Sequence, residues 1–366
     1  MRTHEAPIGR VAAAAYEIPT DAPEADGTLE WDRTVLVVVE IEAGGKTGLG
    51  YTYADASITR LIEGKLAEAI AGRPVFDIPA ANTALWRVVR NLGRSGLVAT
   101  AISALDAALW DLKAKLLGVS VAALLGRCRE TVPIYGSGGF TSYTDARLCD
   151  QLASWVENDG CRWVKMKIGT EPARDPERVA AARRAVGDAG LFVDANGAFS
   201  ARQALALAKR IAADRVTWFE EPVSSDDVDG LALMRARAPE GMDIAAGEYG
   251  YTLDDFHRLL ALPAVDVLQA DVTRCGGITG FLAAAALCET RHIDLSGHCA
   301  PSLHLHAACA AKRLRHLEWF HDHVRIEHLP FDGAPVPRAG VIAPDLSRPG
   351  FGLVFKARDA ERFRVR

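Results

Sequence analysis

The chain has 366 residues, a formal net charge of −5, and 49% hydrophobic and 24% charged residues, the composition of a soluble globular protein with room for a large barrel or two domains sharing an interface. That balance offers no basic face to nucleic acid, and no apolar run approaches the roughly 20 residues needed to cross a bilayer. Seven cysteines without a Cys-x-x-Cys pair point to reduced thiols in the cytoplasm rather than a disulfide framework or zinc knuckle, and Met1 to Glu5 opens with no signal-peptide core behind it.

Strand-type runs over 11–18, 34–42 and 47–53, with a turn at Gly44-Gly45, predict an antiparallel meander. The polar segment 19–32 between the first two, holding Asp21, Glu24, Asp26 and Trp31, reads as a mobile cover or a long solvated loop. Helical patterns follow over 58–71, 77–91 and 99–117, the last with Leu105, Ala108, Leu109, Leu112 and Leu116 at helical spacing before Gly118. From residue 132 the texture becomes a strict alternation. Eight apolar strand-type runs begin near Val132, Trp163, Leu191, Val216, Asp243, Val265, His292 and His316, with amphipathic stretches between them. That repetition predicts an α/β fold of the (β/α)8 barrel type. A doubly wound sheet seldom needs eight units, and no Gly-x-Gly-x-x-Gly follows a strand. Segment 341–355 reads as extended, interrupted by Pro344 and Pro349. The expected organisation is an α+β capping domain over 1–125, the barrel over 126–325, and a tail over 326–366 that packs back on the cap.

Barrel active sites form at the C-terminal ends of the strands. Strand two ends in Trp163-Val164-Lys165-Met166-Lys167, which puts both lysines on one face. Two crowded, poorly solvated ammonium groups favour the neutral amine, and hence a base near neutral pH; an edge strand with a polar face is the plainer alternative. Asp194, Glu220 and Glu248 end strands three, four and five, roughly one βα unit apart, so they are expected at one height and converging. Three facing carboxylates require protonation or a cation, and oxygen ligands on rigid strands suit Mg²⁺. Asp271 and His298, again about one unit apart, form a dyad in which the carboxylate orients the imidazole. Glu318 ends strand eight.

These residues bring the chain to a family. It resembles the enolase superfamily, in its mandelate-racemase-like subgroup, along almost its whole length. The resemblance rests on the capping unit, the helix from Ala101 to Asp111, the Lys-x-Lys strand and Asp194-Ala195-Asn196-Gly197. It continues through Glu220-Glu221-Pro222, Gly247-Glu248, Asp271 followed by Arg274-Cys275-Gly276-Gly277, and His298. The resemblance implies that Asp194, Glu220 and Glu248 bind Mg²⁺, which grips a substrate carboxylate. Lys167 is then the base on one face, with Lys165 depressing its pKa, and His298 oriented by Asp271 serves on the other. Glu318, protonated in acidic surroundings, would hydrogen-bond the forming enediolate.

The histidine on strand seven with its Asp–His dyad resembles acid-sugar dehydratases, so dehydration to a 2-keto-3-deoxy acid is the first expectation. Racemisation or epimerisation between Lys167 and His298 comes second. A cycloisomerase is expected less, because lactonising relatives resemble a pattern with lysine where this chain has Asp271. A catalytically silent barrel would have lost a ligand or a base, and none is missing. Substrate contacts are expected from Asn196, Glu221, Ser137, Trp31, Tyr53 and His321, with Tyr143, Tyr249, Arg274 and His323 as further candidates. His304 and His306 read as packing or interface residues. The partner is a small acid-sugar carboxylate, and a homo-oligomer is expected.

Overall fold

In the computed structural model, which describes residues 6–365, three antiparallel strands open the chain: β1 (Val11–Ala25), β2 (Glu30–Ala43) and β3 (Lys46–Tyr53). The reading of Met1 to Glu5 lies outside the described residues. The helix Leu97–Leu117 packs across this sheet, and its small residues let the backbones meet closely. A Cβ on Gly48 would overlap Ala108, and one on Gly50 would overlap Ala104 and Ala108. Gly118 ends that helix in the left-handed conformation, as its position after the last leucine predicts.

Eight parallel strands close into the barrel: β4 (Val132–Gly138), β5 (Trp163–Lys167), β6 (Gly190–Asp194), β7 (Val216–Glu220), β8 (Asp243–Ala246), β9 (Val267–Ala270), β10 (Asp294–Gly297) and β11 (Leu314–Phe320). Pairing of β11 with β4 completes the ring. Its floor is filled by Tyr135, Phe192, Trp218, Ala245 and Val267, with Phe192 and Trp218 stacked at 5.1 Å. His316 sits among these rings; burial pushes its pKa down to about 3, so it packs as a neutral side chain. The sequence placed a strand start at His292. There the chain is instead ending a helix at φ 56°, and the strand begins at Asp294.

Two further expectations change. The segment 19–32 is not a solvated loop, because β1 runs to Ala25 and β2 starts at Glu30, with an irregularity between Pro19 and Glu24. Polar composition hid an extended hairpin. Asp26 closes its tip by accepting from the Thr28 and Leu29 N–H groups at 2.6 and 2.8 Å. In the tail, only β13 (Val341–Ile342) and β14 (Val354–Phe355) of the segment 341–355 are strands. β13 pairs with the start of β4, and β14 with β12 (Phe331–Asp332). Phe331 stacks on Tyr51 at 4.9 Å, Phe355 meets Tyr16 at 5.4 Å, and the Val365 N–H donates to Ala15 O, so the tail lies against the opening sheet. No helix among the described residues is long and apolar enough to cross a membrane.

Candidate active site

Parallel register sets Lys167, Asp194 and Glu220 side by side at the ends of β5, β6 and β7. Glu248 arrives differently, which corrects the expectation of one common height. β8 stops at Ala246, and Gly247, at φ 130°, lies so near the Gln269 backbone that a Cβ would overlap it. Only glycine permits that passage, and it turns Glu248 into the barrel mouth. All three acids are buried, and one oxygen of each lies within 4.8 Å of the others.

Lys165 is fully buried, with Nζ 2.5 Å from Glu220 Oε1, 2.8 Å from Glu318 Oε1 and 3.4 Å from Asp194 Oδ2. Lys167 donates to Asp194 Oδ2 at 2.5 Å and to Asn196 Oδ1 at 3.0 Å. Ser137 is buried behind this group and donates to Glu318 Oε1 at 2.6 Å. Across the mouth, His298 and Asp271 each lie one residue past a strand end, with Nδ1 and Oδ2 2.8 Å apart. The imidazole Nε2 points to Cys299 Sγ at 3.3 Å and to Glu248 Oε2 at 3.2 Å, the latter contact lacking hydrogen-bond geometry. Cys299 and Ala300 both have left-handed backbones, at φ 53° and 38°. This bend brings the Cys299 N–H to Glu318 Oε2 at 3.1 Å.

A cavity of about 450 Å³ opens over these groups, and Lys167, Asn196, Glu248, His298 and Glu318 line it. The β1–β2 hairpin forms its roof with Asp26, Leu29, Trp31, Arg33 and Thr34. Gly27 at the tip is so close to Ile168 O and Ala195 O that a Cβ there would overlap both. Trp31 donates from Nε1 to the buried Glu24 at 2.9 Å, and Tyr53 presents a hydroxyl with no partner among the described residues. Tyr249, Arg274 and His323 also line the cavity, with His323 stacked on Tyr53 at 3.5 Å.

Four expected substrate contacts lie elsewhere. Ser137 and Glu221 are buried beneath the cavity and absent from its lining. His321 faces outward and bonds Asp21 at 3.0 Å, pinning the hairpin. Tyr143 packs on Phe140, with its hydroxyl taking a hydrogen bond from Arg147 at 3.1 Å. The sequence reading missed Cys299, Arg33 and Thr34; adjacency to His298 was the available signal for the first, and the hairpin register for the others. His304 and His306 are packing residues, accepting from the Val272 and Ala122 N–H groups.

Residues 18–126 match the mandelate racemase / muconate lactonizing enzyme N-terminal domain, and residues 147–360 match the enolase C-terminal domain-like family. The chain belongs to the mandelate racemase/muconate lactonizing enzyme group of the enolase superfamily. It is similar to a solved mandelate racemase/muconate lactonizing enzyme-like protein from Rubrobacter xylanophilus: 50% identity over 98% of this chain and 100% of that one, TM-score 0.96. It is similar to the 3,6-anhydro-alpha-L-galactonate cycloisomerase of Streptomyces coelicolor, at 32% identity over 95% of this chain and 96% of the relative. It also resembles the L-talarate dehydratase of Polaromonas sp. JS666, solved with Mg and L-glucarate: 30% identity over 98% of each chain, TM-score 0.88.

Two protonation directions in this enolase-superfamily site differ from those read in the sequence. Burial and Lys165 do lower the Lys167 pKa, but Asp194, Glu248 and Glu220 outweigh them, and the net shift is upward. Burial lowers Lys165 too, and Glu220, Glu318, Tyr135 and Asp194 carry it well above its ordinary value. The acids around them therefore favour the ammonium form of both lysines. Burial raises Glu318, yet Lys165, His298 and Lys167 together pull it below the usual carboxylate range. That direction favours the carboxylate, which accepts from Ser137 Oγ and the Cys299 N–H. Burial, then Asp194, pushes Glu220 up to about 8, as crowded acids require. Glu248 Oε2, buried without a hydrogen-bond partner among the described residues, faces the same space. Three converging carboxylates, one with an unsatisfied oxygen, fit a hard divalent cation.

Proposed function

We propose that the protein removes the proton α to the carboxylate of an acid sugar with Mg²⁺ as cofactor, and then expels the β-hydroxyl to give a 2-keto-3-deoxy acid. The observation that carries this reading is the placing of Lys167 and the His298–Asp271 dyad on one cavity beside the triad Asp194, Glu220 and Glu248. When bound by those acids, Mg²⁺ supplies positive charge for the substrate carboxylate and cancels the acidic field that keeps the lysines protonated.

With that field cancelled, burial and Lys165 both favour the neutral Lys167, which restores the base role read from the sequence. Asn196 holds its Nζ toward the cavity. On the other side Asp271 accepts from Nδ1 and leaves Nε2 to work. His298 as imidazolium gives its proton to the β-hydroxyl, water leaves, and the enol collapses to the keto acid. Glu318 organises the floor by holding Lys165, Ser137 and the Cys299 N–H. Asp26, Arg33, Thr34, Asp55 and Arg274 make a polar cover suited to a polyhydroxy acid.

Isomerisation is the second reading. Likeness to a cycloisomerase along 95% of the chain favours it, and the sequence argument from Asp271 weighs less beside that likeness. A screen of aldonic and aldaric acids with Mg²⁺, following 2-keto acid with semicarbazide, separates the two. Run in D₂O with NMR detection, it expects keto acid from at least one acid sugar. Exchange of the α-proton with solvent and no keto acid would sink the dehydratase reading in favour of the isomerase.

A further inference from the structure

Beside the oxygen triad lies a second set of donors of different chemistry. His298 Nε2, Cys299 Sγ and Glu318 Oε2 are all buried, with separations of 3.3 Å (N to S), 3.4 Å (S to O) and 3.7 Å (N to O). Ligand atoms about 2.0–2.3 Å from a tetrahedral zinc stand about 3.3–3.6 Å apart, so one ion can reach all three with shifts of a few tenths of an ångström. The Asp271 carboxylate holds His298 through Nδ1, the carboxylate–histidine arrangement that orients an imidazole toward a metal. The thiol is in place because two consecutive left-handed residues, Cys299 and Ala300, fold the chain back over the strand end.

We propose that His298, Cys299 and Glu318 form a binding site for a thiophilic divalent cation such as Zn²⁺, distinct from the oxygen triad, and that occupancy inhibits the enzyme by capturing Nε2 of His298. On binding, the Cys299 thiol releases its proton to solvent and the imidazole binds as the neutral form, keeping Nδ1–H on Asp271. Oxygen-seeking Mg²⁺ has no preference for this nitrogen–sulfur pair, whereas zinc and cobalt do. The inhibition rests on the proposed role of His298; the binding does not.

The test uses the intact protein with Mg²⁺ in excess. Titration with Co²⁺ is expected to produce a near-ultraviolet thiolate-to-cobalt charge-transfer band, which oxygen ligands do not give. The band should vanish in Cys299→Ser, while Mg²⁺-dependent thermal stabilisation of that variant shows that fold and triad survive. Asp271→Asn should weaken Zn²⁺ binding by about 10- to 100-fold. Turnover should fall with Zn²⁺, and excess Mg²⁺ should not restore it. No band in the wild type, or a band unchanged in Cys299→Ser, overturns the site; a band with unaltered turnover overturns its inhibitory role. Absence of any acid-sugar turnover before zinc is added would count against the proposed function and leave the cobalt result standing.

Discussion

In the proposed reaction Lys167 and His298 each act through a single atom, Nζ beside Asn196 and Nε2 opposite Asp271's hold on Nδ1. Positioned acid–base groups contribute about 10²–10⁴-fold, so Lys167→Ala and His298→Asn should each lower kcat by at least about 10²-fold. Circular dichroism of both variants should stay native. Full activity in either would remove that residue from the mechanism. Glu248 has a separate test: Mg²⁺ should raise the thermal midpoint of the native protein, and Glu248→Ala should abolish that rise. A native protein indifferent to Mg²⁺ would contradict the triad as a metal site. The positions of these side chains were legible because each occupies a strand end or the residues just past it, where spacing by βα units maps onto neighbours in space. Their protonation was not legible. Lys165 lies against Glu220 and Glu318, contacts between strands remote in the chain, and those contacts reverse the sign expected from the lysine pair alone.

At the scale of the element, the β1–β2 hairpin is the part that composition concealed. Its residues are polar because they meet the cavity and the barrel rim, so polarity imitates a loop. Glu24 is buried in it against Trp31, and burial followed by Asp322 pushes its pKa up to about 9. A carboxyl with a raised folded-state pKa stabilises fully below its unfolded value, near 4.5, and loses that stabilisation as pH rises toward 9. The wild type should therefore weaken relative to Glu24→Gln over this window, by at most about 1.4 kcal/mol per pH unit, in urea unfolding. A stability difference independent of pH would show that Glu24 does not carry the proton. Gly27 sets how far the hairpin closes. Gly27→Val should lift the tip from Ile168 and Ala195, raising KM more than it lowers kcat.

On the scale of the molecule, cap, barrel and tail share buried contacts. Tyr51 of β3 donates to Glu327 Oε1 at 2.5 Å, Ser302 donates to the other oxygen of Glu327, and Phe331 covers Tyr51. Deleting a buried aromatic ring costs about 3–5 kcal/mol. Phe331→Ala should lower the urea midpoint accordingly, and the cavity roof on β2 and β3 should loosen with it, visible as a higher KM. A change below about 1 kcal/mol would mean that the tail contributes little to docking the cap.

By itself, the sequence determined the barrel, the antiparallel opening sheet, and the strand-end placing of the three carboxylates, Lys167 and His298. Each follows from a local period: alternation along a strand, 3.6-residue spacing along a helix, and the recurrence of βα units. Only the tertiary structure decided that Glu248 enters past Gly247, that Ser137 and Glu221 lie beneath the cavity and His321 outside it, and that Cys299 joins His298 and Glu318. Those facts depend on which backbone lies within a few ångströms of another, with partners such as Gly247 and Gln269, or Cys299 and Glu318, on different strands. No periodicity along the chain encodes that distance; closure of the barrel does.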